Sequence, residues 1–149
     1  MYPNLTIKID NLPPMPRNRS HMLTNKSGRC MLIKAPLARE FEKDLVSRLL
    51  DYSSHIARFK EHFSPDRHFL KVLYTIHTPH NDLFTKDGRI SLKAVDCDAH
   101  KLFQDVIFRE IGIDDKFIRN VQYFTPESND DYWNYSVSIE MYDLDVLYV

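Results

Sequence analysis

Two aspartates stand two positions apart in the chain, and a lysine and an acidic pair follow them. Asp96 and Asp98 precede Lys101, and Asp114 and Asp115 come after one helix's worth of sequence. Two ionised carboxylates that lie close together repel each other unless a cation sits between them. Magnesium takes hard oxygen ligands and needs only one or two protein carboxylates beside a substrate phosphate. The spacing therefore indicates a magnesium site that acts on phosphates.

The same aspartates also fit a purely structural role. Aspartate often caps a helix N-terminus, where its carboxylate accepts backbone amides and favours the helix dipole. An Asp-Asp pair after Gly112 is likewise a common turn. A helix of about 14 residues is about 20 Å long. An acid beyond its far end reaches the first pair only if the helix is short or bent, or if the acid comes from another element or a second subunit. Spacing alone leaves both roles open.

The bulk properties predict one soluble domain over residues 1–149. The chain has 149 residues, ordinary charged content and only three glycines, which suits a globular protein with a real core. No apolar run approaches the roughly 20 residues of a membrane span, and no leader-like segment begins the chain. We therefore expect a cytoplasmic protein that makes no membrane contact. The two cysteines, Cys30 and Cys97, form no disulfide framework.

Charge is unevenly distributed along the chain. Residues 15–34 contain no acid, whereas residues 121–149 contain six acids and no lysine or arginine. A net charge of −1 weakens a nucleic-acid interpretation, because DNA-binding domains usually carry a basic excess. A local basic patch keeps that interpretation open, since patches neutralise phosphates; the alternative is a solvated loop. The candidate phosphate contacts are Arg17, Arg19, Lys26 and Arg29.

Hydrophobic periodicity predicts an α+β fold with the element order β-β-α-β-α-β-β. Alternation at 5–10 and within 132–141, and β-branched and aromatic residues at 68–78, indicate strands. Further strands are expected at 30–33 and 117–123, and residues 17–29 are expected to form a loop. Apolar residues at helical spacing follow Pro36, with an interruption near Ser53, and recur over residues 97–111. Leu37 and Leu50 are assigned to the buried face of the first helix. Two main helices should cover one face of a mixed sheet.

The sequence resembles the RusA-type Holliday-junction resolvases, endonucleases typical of phages and prophages. Over nearly the whole chain the order of elements is similar, including the Pro13-Pro14 turn and the long strand that ends at Pro79. The specific part is the aspartate-rich segment, with the pair before the second helix and Gly112-x-Asp114-Asp115 after it.

The resemblance implies a magnesium-dependent enzyme, also served by manganese, that nicks branched DNA symmetrically as an intertwined homodimer. Asp96, Asp98 and Asp115 would be the metal-binding catalytic acids. Lys101 would stabilise the negative charge that develops at the scissile phosphate. An intertwined dimer would also ease the reach of the third acid.

Two departures from the family pattern leave other functions open. The family usually has asparagine after the second aspartate, where this chain has Ala99, and its lysine falls four residues after that aspartate instead of three. These departures favour a catalytically weakened nucleic-acid-binding or assembly protein on the same fold. A further alternative is an interaction domain whose acidic C-terminal segment binds a basic partner.

Overall fold

A computed structural model describes residues 2–14, 21–26, 29–34, 36–91 and 100–148. For residues 21–26, 29–34 and 148 it describes the backbone alone. The strands are β1 Leu5–Leu12, β2 His21–Lys26, β3 Arg29–Lys34, β4 His68–His77, β5 Ile118–Phe124 and β6 Trp133–Asp143. The helices are α1 Pro36–Leu49, α2 Ser53–His62, α3 His80–Leu83 and α4 His100–Ile111. Short 3-10 turns lie at Leu50–Tyr52, Asp115–Phe117 and Leu144–Tyr148.

Four of the strands form one mixed sheet in the order β1-β6-β4-β5. β6 is antiparallel to both β1 and β4, whereas β4 and β5 run parallel. A parallel neighbour needs a crossover connection, and the segment that contains α3 and α4 supplies it. The prediction of a mixed α+β sheet is confirmed.

The core lies between one face of this sheet and the helices. Inward side chains alternate along β6, where Tyr135, Val137 and Ile139 are buried. Phe41 of α1 and Phe103 of α4 each lie 5.5 Å from Tyr135, measured between ring centroids. Both helices therefore cover the same face, as the periodicity predicts.

The first helical region breaks where the sequence suggested. A 3-10 turn at Leu50–Tyr52 separates α1 from α2, which begins at Ser53. The assignment of Leu37 and Leu50 to the buried face is wrong, because both are exposed. The buried stripe runs through residues 38, 41, 45 and 49; Leu37 lies at its margin, and Leu50 falls in the turn that breaks the helical phase.

Two predictions about the N-terminal part need correction. Residues 21–26, expected within a loop, form β2, which pairs with β3 in a separate two-stranded sheet. The element order consequently has three strands before the first helix instead of two. The segment has few large apolar residues, so periodicity misses a hairpin that is held by its own cross-strand hydrogen bonds.

Within the described residues, no helix has both the length and the apolar character needed to cross a membrane.

Candidate functional site

The turn after α4 reverses the chain and returns it along the helix. Gly112 ends α4 with φ +78°, a left-handed conformation that glycine adopts without strain. Ile113 is then buried, which anchors the reversal. Asp114 Oδ1 accepts the Lys116 backbone N–H at 2.8 Å and so caps the 3-10 turn that leads into β5. Asp114 thus has the structural role of a turn cap.

Asp115 comes out of this turn beside the middle of α4. The Gln104 side-chain amide donates a hydrogen bond from Nε2 to Asp115 Oδ2 at 3.3 Å. The Tyr74 hydroxyl donates to Gln104 Oε1 at 3.0 Å. A carboxylate can only accept hydrogen bonds, which requires the Gln104 NH₂ group to face Asp115 and its oxygen to face Tyr74. The three side chains therefore form one directed chain from the core to the surface.

Because of this reversal, Asp115 lies much closer to the start of α4 than the length of the helix suggested. Gln104 is four residues after His100, the first residue of α4, or about 6 Å along the axis at 1.5 Å per residue. Asp115 thus lies about one turn from the start of α4, although it follows the helix in the sequence.

Tyr74 anchors the hydrogen-bonded chain in the core. Tyr74 is fully buried on β4. The Phe103 ring packs against the Tyr74 ring in a T-shaped arrangement, with the ring centroids 5.8 Å apart. Burial raises the pKa of the Tyr74 hydroxyl, and the nearby Tyr123, Asp115 and Asp105 raise it further. The hydroxyl consequently stays protonated and remains a donor to Gln104 at all physiological pH values.

Lys101 and Asp105 share the face of α4 that carries Gln104. Residues three and four apart on a helix are surface neighbours, so Lys101 is adjacent to both Gln104 and Asp105. The Lys101 side chain is exposed, and within the described residues it forms no ion pair or hydrogen bond. Lys101 therefore lies on the side of the helix to which Asp115 returns.

An exposed aromatic ring packs against Tyr74 as well. Tyr123 of β5 stacks on Tyr74 with ring centroids 5.6 Å apart and planes 11° from parallel. The His100 ring lies 4.7 Å from the Tyr123 ring. The cluster of Tyr74, His100, Gln104, Asp115 and Tyr123 thus joins β4, β5 and α4 at one edge of the sheet.

Several predicted site residues fall outside the described part of the chain. Asp96, Asp98, Arg17 and Arg19 are among them. Lys26 and Arg29 are described by their backbone, which pairs them across the β2–β3 hairpin next to its turn.

The described carboxylates suit a magnesium ion only in part. Asp115 is exposed, and the amide of Gln104 is the single hydrogen-bond donor to its side chain in the described residues, which leaves Oδ1 able to act as a hard oxygen ligand. Within the same residues, no group of three or more His, Cys, Asp or Glu side chains could hold a metal ion.

Sequence reasoning missed Tyr74, Gln104 and Tyr123 as members of this cluster. Tyr74 and Tyr123 were each assigned to a strand, and Gln104 lies within the predicted helix. The parallel pairing of Tyr74 with Tyr123 joins distant segments, and no local pattern signals it. The one available signal was helical spacing, which puts Gln104 three residues after Lys101.

The chain matches no protein-family model, and no curated protein matches it significantly.

Proposed function

We propose that this protein is a magnesium-dependent endonuclease that cuts branched DNA, such as four-way Holliday junctions, in recombination and repair. The observation that carries the proposal is the return of Asp115 to the first half of α4, on the face that bears Lys101. The Asp96-x-Asp98 pair precedes that helix directly in the sequence. The resemblance of the sequence to RusA-type resolvases suggests branched DNA as the substrate.

The side chains have separate roles in this reaction. Asp115, with Asp96 and Asp98, would hold magnesium, which when bound neutralises phosphate charge and activates a water molecule. Gln104 and Tyr74 fix the direction in which the Asp115 carboxylate points. Lys101 would offset the extra negative charge of the transition state at the phosphate. Its position adjacent to Gln104 supports this role even though it follows Asp98 by three residues.

The β2–β3 hairpin is the proposed DNA-binding element. Its backbone pairs Lys26 with Arg29 at one end and His21 with Lys34 at the other, so basic residues occupy both ends. Basic side chains bind backbone phosphates without reading sequence. Arg17 and Arg19, which precede the hairpin, would extend the same patch.

A homodimer forms part of the proposal, because symmetric nicking of a four-way junction requires two active sites related by a two-fold axis. Sedimentation analysis should give twice the mass of one chain. A monomer at the concentrations used for cleavage would contradict this part of the proposal.

Junction cleavage with and without magnesium is the decisive experiment. Asp115→Asn and Asp96→Asn should each abolish cleavage while junction binding persists. Asp114→Asn is the matched control: it removes the same charge from the neighbouring residue, and asparagine caps a turn as well as aspartate does, so activity should remain. Full activity in Asp115→Asn or Asp96→Asn would end the assignment.

A catalytically weakened DNA-binding protein is the second candidate, favoured by Ala99 at the position where the resembled family has asparagine. The same experiment separates the two functions. Junction binding without magnesium-dependent cleavage would support the second candidate against the first.

A further inference from the structure

We infer that Tyr123 is a platform on which an unstacked nucleotide base lies, so that the site selects DNA with a branch point or a single-stranded segment over continuous duplex. The inference rests on the proposed function and names the feature of the substrate that the site recognises.

The platform is rigid because a buried ring supports it. Tyr123 and Tyr74 are register partners on parallel strands, and their rings stack at 5.6 Å and 11°. Tyr74 is held on its other sides by Phe103 and Gln104. A ring fixed in this way loses little entropy when a ligand stacks on it, which favours binding.

The platform is also accessible. Tyr123 keeps 41% of its surface exposed although one ring face packs on Tyr74. β5 is the last strand in the sheet order, and Val121, two residues earlier on the same face, is also exposed. The helix side of β5 thus presents a partly apolar strip.

The position of the platform connects it to the candidate site. Tyr123 stacks on the ring of Tyr74, and the hydroxyl of Tyr74 is linked through Gln104 to Asp115, so Tyr74 connects the platform to the carboxylate. His100, against the Tyr123 ring, is the residue at which α4 begins. A base on Tyr123 would therefore belong to a nucleotide close to the scissile phosphate.

Base stacking requires a free base face, and this requirement sets the substrate class. Both faces of a base inside a duplex are covered by neighbouring bases, whereas a branch point or single-stranded segment leaves a face open. Aromatic side chains bind such bases with little sequence preference. The platform accordingly predicts selection by DNA structure and not by sequence.

The same strand provides a control for the test. Phe124 is 58% exposed and pairs with Thr75, so it lies on the opposite face of the sheet from Tyr123. Phe124→Leu removes an exposed ring of similar size away from the site. Tyr123→Phe keeps the ring, and Tyr123→Leu removes it while an apolar side chain still covers Tyr74.

The experiment measures binding to a four-way junction with 2-aminopurine next to the crossover, in calcium in place of magnesium. Tyr123→Leu should weaken junction binding roughly tenfold, as expected for the loss of one base–aromatic stack, and should lose the fluorescence change of the probe. Tyr123→Phe and Phe124→Leu should bind as the unmodified protein does. Binding to a plain duplex should stay the same in all variants, and equal melting temperatures would show that Tyr123→Leu is folded.

The platform is refuted if Tyr123→Leu binds the junction normally, or if Phe124→Leu weakens binding equally. It is also refuted if Tyr123→Leu weakens binding to duplex and junction alike. These outcomes are distinct from failure of the proposed function. Magnesium-dependent cleavage that is unaffected in Tyr123→Leu would refute the platform but not the nuclease activity. Junction binding that depends on Tyr123, without any cleavage, would refute the nuclease activity but not the platform.

Discussion

The side-chain amide of Gln104 on α4 donates a hydrogen bond to Oδ2 of Asp115, 3.3 Å away and eleven residues later in the chain. The Tyr74 hydroxyl donates a hydrogen bond to the oxygen of the same amide. The link determines which carboxylate oxygen stays available and in which direction it points. Partners of this kind behind a metal ligand typically change metal affinity or activity 10- to 100-fold when removed.

Removing the Gln104 amide should weaken magnesium binding. Gln104→Met keeps the side-chain length but cannot hold Asp115, so we expect the dissociation constant to rise about tenfold or more, measured by calorimetry without DNA. Tyr74→Phe should have a smaller effect in the same direction, because the amide is then held at one end only.

A double variant tests whether Tyr74 acts through Gln104. If it does, Tyr74→Phe should add almost nothing to the loss of magnesium affinity once Gln104→Met is present. Additive losses would mean that Tyr74 acts by another route, such as general packing of the core.

Neutralising Lys101 should slow cleavage while leaving folding intact. Lys101 is exposed, so Lys101→Ala should not lower the melting temperature, but we expect about a 100-fold slower cleavage step, typical for the loss of one charge-stabilising group. The control is Lys60→Ala, since Lys60 lies beside Gly112 at the other end of α4. Unchanged cleavage by Lys101→Ala would show that Lys101 does not face the phosphate.

Charge removal from the hairpin should change the salt dependence of DNA binding. Each lost phosphate contact lowers the slope of log affinity against log salt by about 0.9. Lys26→Gln with Arg29→Gln should therefore reduce the slope for junction and duplex alike. The matched double variant is Arg39→Gln with Lys43→Gln on the exposed face of α1. A slope equal to that of the unmodified protein would exclude the hairpin pair as phosphate contacts.

The buried His68 should make the fold less stable in mild acid. Burial lowers the pKa of His68, and the cation of Arg67 lowers it further, against the opposing pull of the Asp143 carboxylate. The unfolded chain then takes up this proton near pH 6.5 before the folded protein does. The His68 contribution to the free energy of unfolding is therefore complete above about pH 6.5 and falls as the pH decreases below it.

His68→Asn offers the means to measure this effect. In the unmodified protein, His68 Nδ1 accepts a hydrogen bond from the Ser64 backbone N–H at 3.0 Å. The side-chain oxygen of asparagine can accept the same hydrogen bond, but asparagine does not titrate. Urea unfolding between pH 5 and 7 should show a shallower pH dependence in His68→Asn than in the unmodified protein. The exposed His55→Asn variant serves as the control, and identical slopes in all three proteins would contradict the prediction.

Local patterns were enough to place most elements and to predict the turn that carries Asp114 and Asp115. The apolar spacing around Phe103 and Val106 predicted α4, and the alternation around Val137 and Ile139 predicted β6, because both periodicities follow from burying one side of a regular backbone. The Gly112 stop and the following aspartates were also readable. β2 was not, since its two large apolar residues, Met22 and Leu23, are adjacent and do not alternate.

The sequence by itself determined the α+β architecture, the mixed sheet covered on one face by helices, and the acids and cations available for chemistry. Only the tertiary structure decided that Asp115 returns to Gln104 and that Tyr123 stacks on Tyr74. The physical reason is that both relationships join segments remote in the chain. The first depends on the left-handed turn at Gly112 and the burial of Ile113, and the second on the parallel pairing of β4 with β5.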